Sequence, residues 1–77
     1  MNIERLIAMS NDIAAFFDAE ADKALAAEGV RSHLARFWDP RMRREIVAHV
    51  QAGGAGMCAT AIAAVKVLAP PPDSANQ

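Results

Sequence analysis

Residues 37–44 read Phe37-Trp38-Asp39-Pro40-Arg41-Met42-Arg43-Arg44, and the Asp-Pro pair inside this stretch marks the clearest boundary between two helices. An aspartate side chain accepts hydrogen bonds from the free amides at a helix start, and proline fits the first helical position because its missing N–H would have no partner there. Proline also disfavours helical geometry at the residue before it. The stretch therefore predicts that one helix ends near residue 38 and the next begins at Pro40.

Upstream of this corner, the spacing of apolar residues predicts two helices. Apolar positions three and four residues apart predict a first helix over residues 3–19, with Asn2 as its N-cap and an acidic link over 18–23. A second helix is expected over 23–38, or only after Gly29, because glycine inside a helix costs roughly 1 kcal/mol relative to alanine. Its inner stripe is predicted to contain Ala27, Val30, Leu34, Phe37 and Trp38.

Downstream of the corner, a third helix is predicted over residues 40–52, ending at the Gly53-Gly54 pair. A short fourth helix is expected over 57–68, and the proline-rich segment 70–77 is expected to be disordered. We therefore predict an all-α bundle of three to four helices as one domain over residues 1–69, followed by a disordered tail over 70–77. The inward residues of the last two helices are predicted to be Met42, Ile46 and Val50, then Ile62, Val65 and Leu68.

The length and composition point to a domain with a thin core. A chain of 77 residues forms one domain, and a core of this size rarely supplies more than roughly 3–5 kcal/mol. The single cysteine excludes an intrachain disulfide and a cysteine–histidine metal cluster, and it is consistent with a reducing compartment. Few aromatic residues and many alanines predict close helix packing, and we expect the chain to depend on a partner for part of its stability.

The net charge of −1 conceals an uneven distribution along the chain. Residues 1–30 carry a net charge of −4, whereas residues 31–50 carry +3. Such a charge dipole can orient docking on another protein.

Residues 46–65 carry no charge, but their polar residues and glycines argue against a membrane span. Charges also interrupt the N-terminus, where a signal peptide would be apolar. We expect a cytoplasmic protein that does not enter a membrane.

The residues around the corner are the candidates for binding a partner. Arg41 and Arg44 are predicted to project outward from the third helix, where guanidinium groups can bind carboxylates or phosphates, while Arg43 is placed nearer the core. The alternative is a solvated face on which Arg41 pairs with Glu45 four residues later. Phe37 is expected in the core, and Trp38 is left open between core and interface. The predicted partner-binding residues are Phe37, Trp38, Arg41, Arg43 and Arg44.

Other residues that could carry chemistry are better explained by structure. His33 and His49 lack a positioned nucleophile or carboxylate, and Cys58 in alanine-rich sequence is expected to be inert, although a small enzyme using Cys58 or His33 is a third hypothesis. The glycines of residues 53–56 lack the strand and the Lys-Ser/Thr of a phosphate loop. A helix-turn-helix DNA-binding or regulatory module is the second hypothesis, opposed by the isoelectric point near 6.0 and the acidic first half.

Two stretches carry a resemblance to a known family. The first is Asn2-Ile3-Glu4-Arg5-Leu6-Ile7-Ala8-Met9-Ser10-Asn11-Asp12-Ile13-Ala14-Ala15-Phe16-Phe17, and the second is His33-Leu34-Ala35-Arg36-Phe37-Trp38-Asp39-Pro40-Arg41-Met42-Arg43. Over residues 2–56 the chain resembles the delta subunit of bacterial NAD-dependent, molybdenum-containing formate dehydrogenases.

This resemblance implies a role that the residues alone do not specify. It implies a non-catalytic accessory subunit of a soluble cytoplasmic complex that oxidises formate to carbon dioxide with NAD, or runs the reverse reaction. The molybdopterin, iron–sulfur clusters and FMN would belong to larger subunits, with no cofactor in this chain and no nucleic acid as partner. The expected partner is the molybdenum-containing alpha subunit, which the chain would stabilise, assemble or mature.

Overall fold

The computed structural model describes residues 2–68 and contains four helices in that range. They are α1 (Ile3–Phe17), α2 (Lys23–Phe37), α3 (Pro40–Gln51) and α4 (Ala59–Lys66). The described residues contain no strand, so the predicted all-α bundle is confirmed. The predicted disordered tail over residues 70–77 lies outside the described residues.

The starts of the first two helices are fixed by side chains that accept hydrogen bonds from backbone amides. The Asn2 side chain accepts from the backbone N–H of Glu4 at 2.7 Å, which confirms the predicted N-cap. Asp22 caps α2 in the same way, accepting from the N–H of Ala24 at 2.9 Å. Because α2 begins directly after Asp22, the helix runs through Gly29, and the alternative start after that glycine is wrong.

The first helix ends two residues earlier than predicted, at Phe17. Asp18 is its C-cap and donates its backbone N–H to the carbonyl of Ala14 at 2.8 Å. The Lys23 ammonium group then donates to the carbonyls of Asp18 and Glu20, at 3.1 and 3.3 Å. These bonds satisfy one carbonyl at the helix end and one in the link, and they tie the start of α2 to the five residues that connect it to α1.

The fourth helix is also shorter than the predicted 57–68, because it begins at Ala59 and ends at Lys66. The side chain of Asn11 on α1 holds the residues just before it. Its Oδ1 accepts from the N–H of Cys58 at 2.9 Å, and its Nδ2 donates to the carbonyl of Gly56 at 2.9 Å. This clamp keeps Cys58 in an extended conformation, and the helix therefore starts at Ala59, two residues later than predicted.

The core combines a few large side chains with many small ones. Leu6, Leu34 and Ile46 are fully buried, as predicted for the apolar stripes of α1, α2 and α3. On α2 the fully buried alanine is Ala26, whereas the predicted Ala27 is half-buried. The small residues that are fully buried allow α4 to pack closely on its neighbours: Ser10, Ala14, Ala26, Ala61 and Ala64.

The close approach of α1 and α2 depends on Gly29. The ring of Phe17 lies on this glycine, so that a methyl group at position 29 would overlap the ring. The helix therefore tolerates the conformational freedom of glycine because its missing side chain makes room for an aromatic ring.

Candidate partner-binding surface

The corner between α2 and α3 has the geometry that the Asp-Pro pair predicts. Asp39 is the N-cap of α3 and its carboxylate accepts from the N–H of Met42 at 2.9 Å, with Pro40 at the first helical position. Trp38 is the C-cap of α2 and has extended backbone angles, φ −89° and ψ 137°. Two consecutive extended residues, Trp38 and Asp39, thus separate the helices and change the direction of the chain.

This break separates the two adjacent aromatic residues. Trp38 is only 5% exposed and belongs to the core cluster, whereas Phe37 is 70% exposed. The prediction that Phe37 lies in the core is wrong. It fails because Phe37 is still helical while Trp38 has already left the helix, so the indole turns inward and the phenyl ring remains on the outer surface. Trp38 can support a binding surface from below, and Phe37 can contact a partner directly.

The arginines of α3 lie as predicted relative to the core. Arg41 and Arg44 are exposed and Arg43 is half-buried. The Nε of Arg41 lies 3.5 Å from a carboxylate oxygen of Glu45, so the ion pair expected for the alternative of a solvated face is present. Arg44 has no ion pair within residues 2–68. The buried Nε of Arg43 has no hydrogen-bond acceptor among the described residues.

A second group of exposed aromatic residues adjoins the corner, and the sequence interpretation did not assign it. Phe16 on α1 is 76% exposed, and its ring packs edge-on against Phe17 with the centroids 5.1 Å apart. On α2 the His33 ring packs against the Phe37 ring, with the centroids 4.8 Å apart and the ring planes inclined by 43°. We call the surface formed by Phe16, Phe17, His33 and Phe37 the aromatic surface. The signal for it was present in the Phe16-Phe17 pair, because two adjacent helical residues cannot both face the core.

His49 and Cys58 lie at the two ends of the connection between α3 and α4. His49 uses its Nε2 to contact the carbonyl of Ala55 at 2.8 Å. Because a carbonyl only accepts hydrogen bonds, this nitrogen carries the proton. Cys58 is a free, half-buried thiol at the N-cap of α4. No group of three or more histidine, cysteine or carboxylate side chains within residues 2–68 is placed to hold a metal ion.

The glycine segment after α3 is a helix stop, as predicted. The N–H of Gly54 donates to the carbonyl of His49, and that of Gly53 donates to the carbonyl of Val50, both at 2.9 Å. Both glycines have positive φ, 123° and 69°. This pair of hydrogen bonds is the Schellman termination of a helix.

In the part of the chain that the structure describes, no helix is both long enough and apolar enough to cross a membrane.

The comparisons with known proteins give the family. Neither the curated proteins nor the solved structures include a significant match to the chain. The model of the family described as "NADH-dependant formate dehydrogenase delta subunit FdsD" matches residues 5–65, a range that includes the corner, the aromatic surface and nearly all of the four helices. The chain therefore belongs to the family of delta subunits of NADH-dependent formate dehydrogenase.

Proposed function

We propose that this chain is a non-catalytic accessory subunit that binds the molybdenum-containing alpha subunit of a formate dehydrogenase and stabilises, assembles or matures it. The observation that carries the proposal is the family match over residues 5–65. The complex oxidises formate with NAD, and its molybdopterin, iron–sulfur clusters and FMN are held by the larger subunits. The chain works in the cytoplasm and has no cofactor of its own.

The corner supplies a surface suited to this role. An exposed aromatic ring beside guanidinium groups is the composition that interface hot spots favour. Phe37 is such a ring, and Arg41 and Arg44 project from the first turn and a half of the next helix. Trp38 and Arg43 lie beneath and keep these groups in place. The five residues thus divide into three that contact the alpha subunit and two that support them.

The test is co-purification with a tagged alpha subunit. Replacing Arg41 and Arg44 together by alanine is expected to lower the amount of recovered chain at least tenfold, because two charged contacts at an interface centre are lost. The helical content should stay the same, since both side chains are exposed. A matched control is the double replacement of Arg5 and Lys66 by alanine, which removes two exposed cations elsewhere. Equal recovery of both double variants would contradict the docking assignment.

The non-catalytic part of the proposal has its own test. The isolated chain should not reduce NAD with formate, and adding it to the larger subunits should raise the yield or lifetime of the assembled complex. Turnover by the chain alone, or equal yield and lifetime with and without it, would contradict the accessory role.

A further inference from the structure

The aromatic surface forms a groove between α1 and α2. Three depressions adjoin one another there, with volumes of about 410, 320 and 190 Å³, and His33 lines all three. The largest reaches Met9 and Met42 at one end, and the smallest reaches Gly29 at the other. Apolar and aromatic side chains form most of the lining, and no part of residues 2–68 covers it, since Phe16 and Phe37 remain largely exposed.

The length of the groove sets the size of what it can hold. On α1 it extends from Met9 to Phe17, a span of nine residues and eight helical steps, or about 12 Å at a rise of ~1.5 Å per residue. That distance is a little over two helical turns. A helix laid in such a groove can place two or three apolar side chains at positions i, i+3 or i+4, and i+7, which is a common mode of peptide recognition.

The charges beside the groove restrict the partner further. Arg36 lines the smallest depression, and Asp12 lines the other two. Within residues 2–68, neither side chain has an ion-pair partner, whereas Arg31 and Arg41 are paired with Glu28 and Glu45. The groove therefore suits an apolar segment of a partner that also carries a carboxylate, because that carboxylate can pair with the guanidinium of Arg36.

We infer that this groove binds an amphipathic helix of a larger formate dehydrogenase subunit, with two or three apolar anchors between Phe16 and Phe37 and a carboxylate facing Arg36. The inference rests on the proposed function, because it takes the larger subunits as the partner. It extends the contact from the corner on α3 across α2 to α1. The groove thus adds Phe16 and Arg36 to the binding residues proposed at the corner.

The experiment measures binding of this chain to the purified complex of larger subunits prepared without it. Phe16→Ser is expected to weaken the affinity at least tenfold, because the loss of a central aromatic anchor has effects of that size or more. Arg36→Glu should weaken it at least fivefold and reduce its dependence on salt. Leu25→Ser and Lys66→Glu are the matched controls, since Leu25 is 57% exposed and Lys66 is also exposed, both outside the groove. Each control should stay within twofold of the unmodified chain.

A photo-crosslinking residue at position 16 identifies what occupies the groove. The expected product joins this chain to a larger subunit, through a segment that contains spaced apolar residues and a nearby Asp or Glu. A product joining two copies of this chain, together with a dimer in sedimentation of the chain alone, would overturn the inference. Unchanged affinity of both the Phe16→Ser and the Arg36→Glu chains would overturn it as well.

The outcomes separate this inference from the proposed function. If the unmodified chain binds the complex and only the Arg41/Arg44 double variant loses affinity, the accessory role stands and the groove is excluded. If the unmodified chain does not bind at all, the accessory role and the groove are both wrong.

Discussion

The connections on either side of α3 differ in how far along the sequence their stabilising hydrogen bonds reach. The corner before it is held by neighbouring residues, because Asp39 caps a helix that begins at the next position. The loop after it, over residues 52–58, begins with the local bonds of Gly53 and Gly54, but its end is held by Asn11 of α1, whose bonds to Gly56 and Cys58 span 45 and 47 residues of sequence. The corner therefore depends on residues within a few positions of one another, whereas the end of the loop depends on a side chain of a different helix.

The largest loss of unfolding free energy is expected from replacing Trp38, the buried residue of the corner. Trp38→Ala should cost about 3–5 kcal/mol, as other large aromatic-to-alanine changes in cores do. That loss equals the roughly 3–5 kcal/mol that a small core supplies, so circular dichroism should show much of the helical signal lost at 25 °C. Phe37→Ala is the matched control, and its effect on the unfolding free energy should be within about 0.5 kcal/mol because the ring is exposed. Equal destabilisation by the two changes would contradict the division between inner and outer aromatic residues.

Removing the Asn11 side chain, which holds Gly56 and Cys58, should cause the next largest loss of unfolding free energy. Asn11→Ala removes two hydrogen bonds and leaves the N–H of Cys58 without its acceptor, at a cost of about 2 kcal/mol. For a domain of this size the melting temperature should fall by roughly 10 °C. Asp12→Ala, at the next residue on α1, is the control, because the Asp12 side chain is exposed and makes no hydrogen bond within the described residues. A drop for Asp12→Ala as large as that for Asn11→Ala would show that α1 itself, rather than the clamp, is sensitive.

Removing the local cap should have a smaller effect than removing the clamp. Asp39→Ala is expected to lower the unfolding free energy by about 1 kcal/mol, the usual cost of losing a helix N-cap. Asp39→Asn keeps a side-chain oxygen that accepts from the N–H of Met42 and should recover most of this loss. Urea unfolding of the unmodified chain and of the two Asp39 variants measures these changes in the unfolding free energy. If asparagine fails to rescue, the carboxylate charge rather than the cap bond is what stabilises the corner.

The same difference explains what the sequence could predict. The boundary at Asp39-Pro40 was predictable because capping and proline act within a few residues, and so was the helix stop at Gly53-Gly54. The start of α4 was not, because it depends on Asn11, which belongs to a different helix. The exposure of Phe37 depends on where α2 ends to within one residue. The groove depends on the distance between α1 and α2, which Gly29 and Phe17 set together. The corner and the positions of its arginines were therefore predictable from neighbouring residues. The aromatic surface was not, because it depends on how helices far apart in sequence pack together.

The smallest effect concerns a surface pair on α2 that belongs to neither connection. The Arg31 guanidinium donates to both carboxylate oxygens of Glu28, at 2.8 and 2.6 Å, and this hydrogen bonding holds the pKa of Glu28 below its ordinary value. Because the folded-state pKa is the lower one, the pair stabilises the fold at pH values above the ordinary glutamate pKa, and this contribution is lost as the pH falls through the depressed value. Glu28→Gln should therefore melt slightly below the unmodified chain at neutral pH and together with it in acid. The difference should also shrink with added salt, as for other exposed ion pairs. A gap that persists in acid would mean that Glu28 acts through packing or helix propensity instead of its charge.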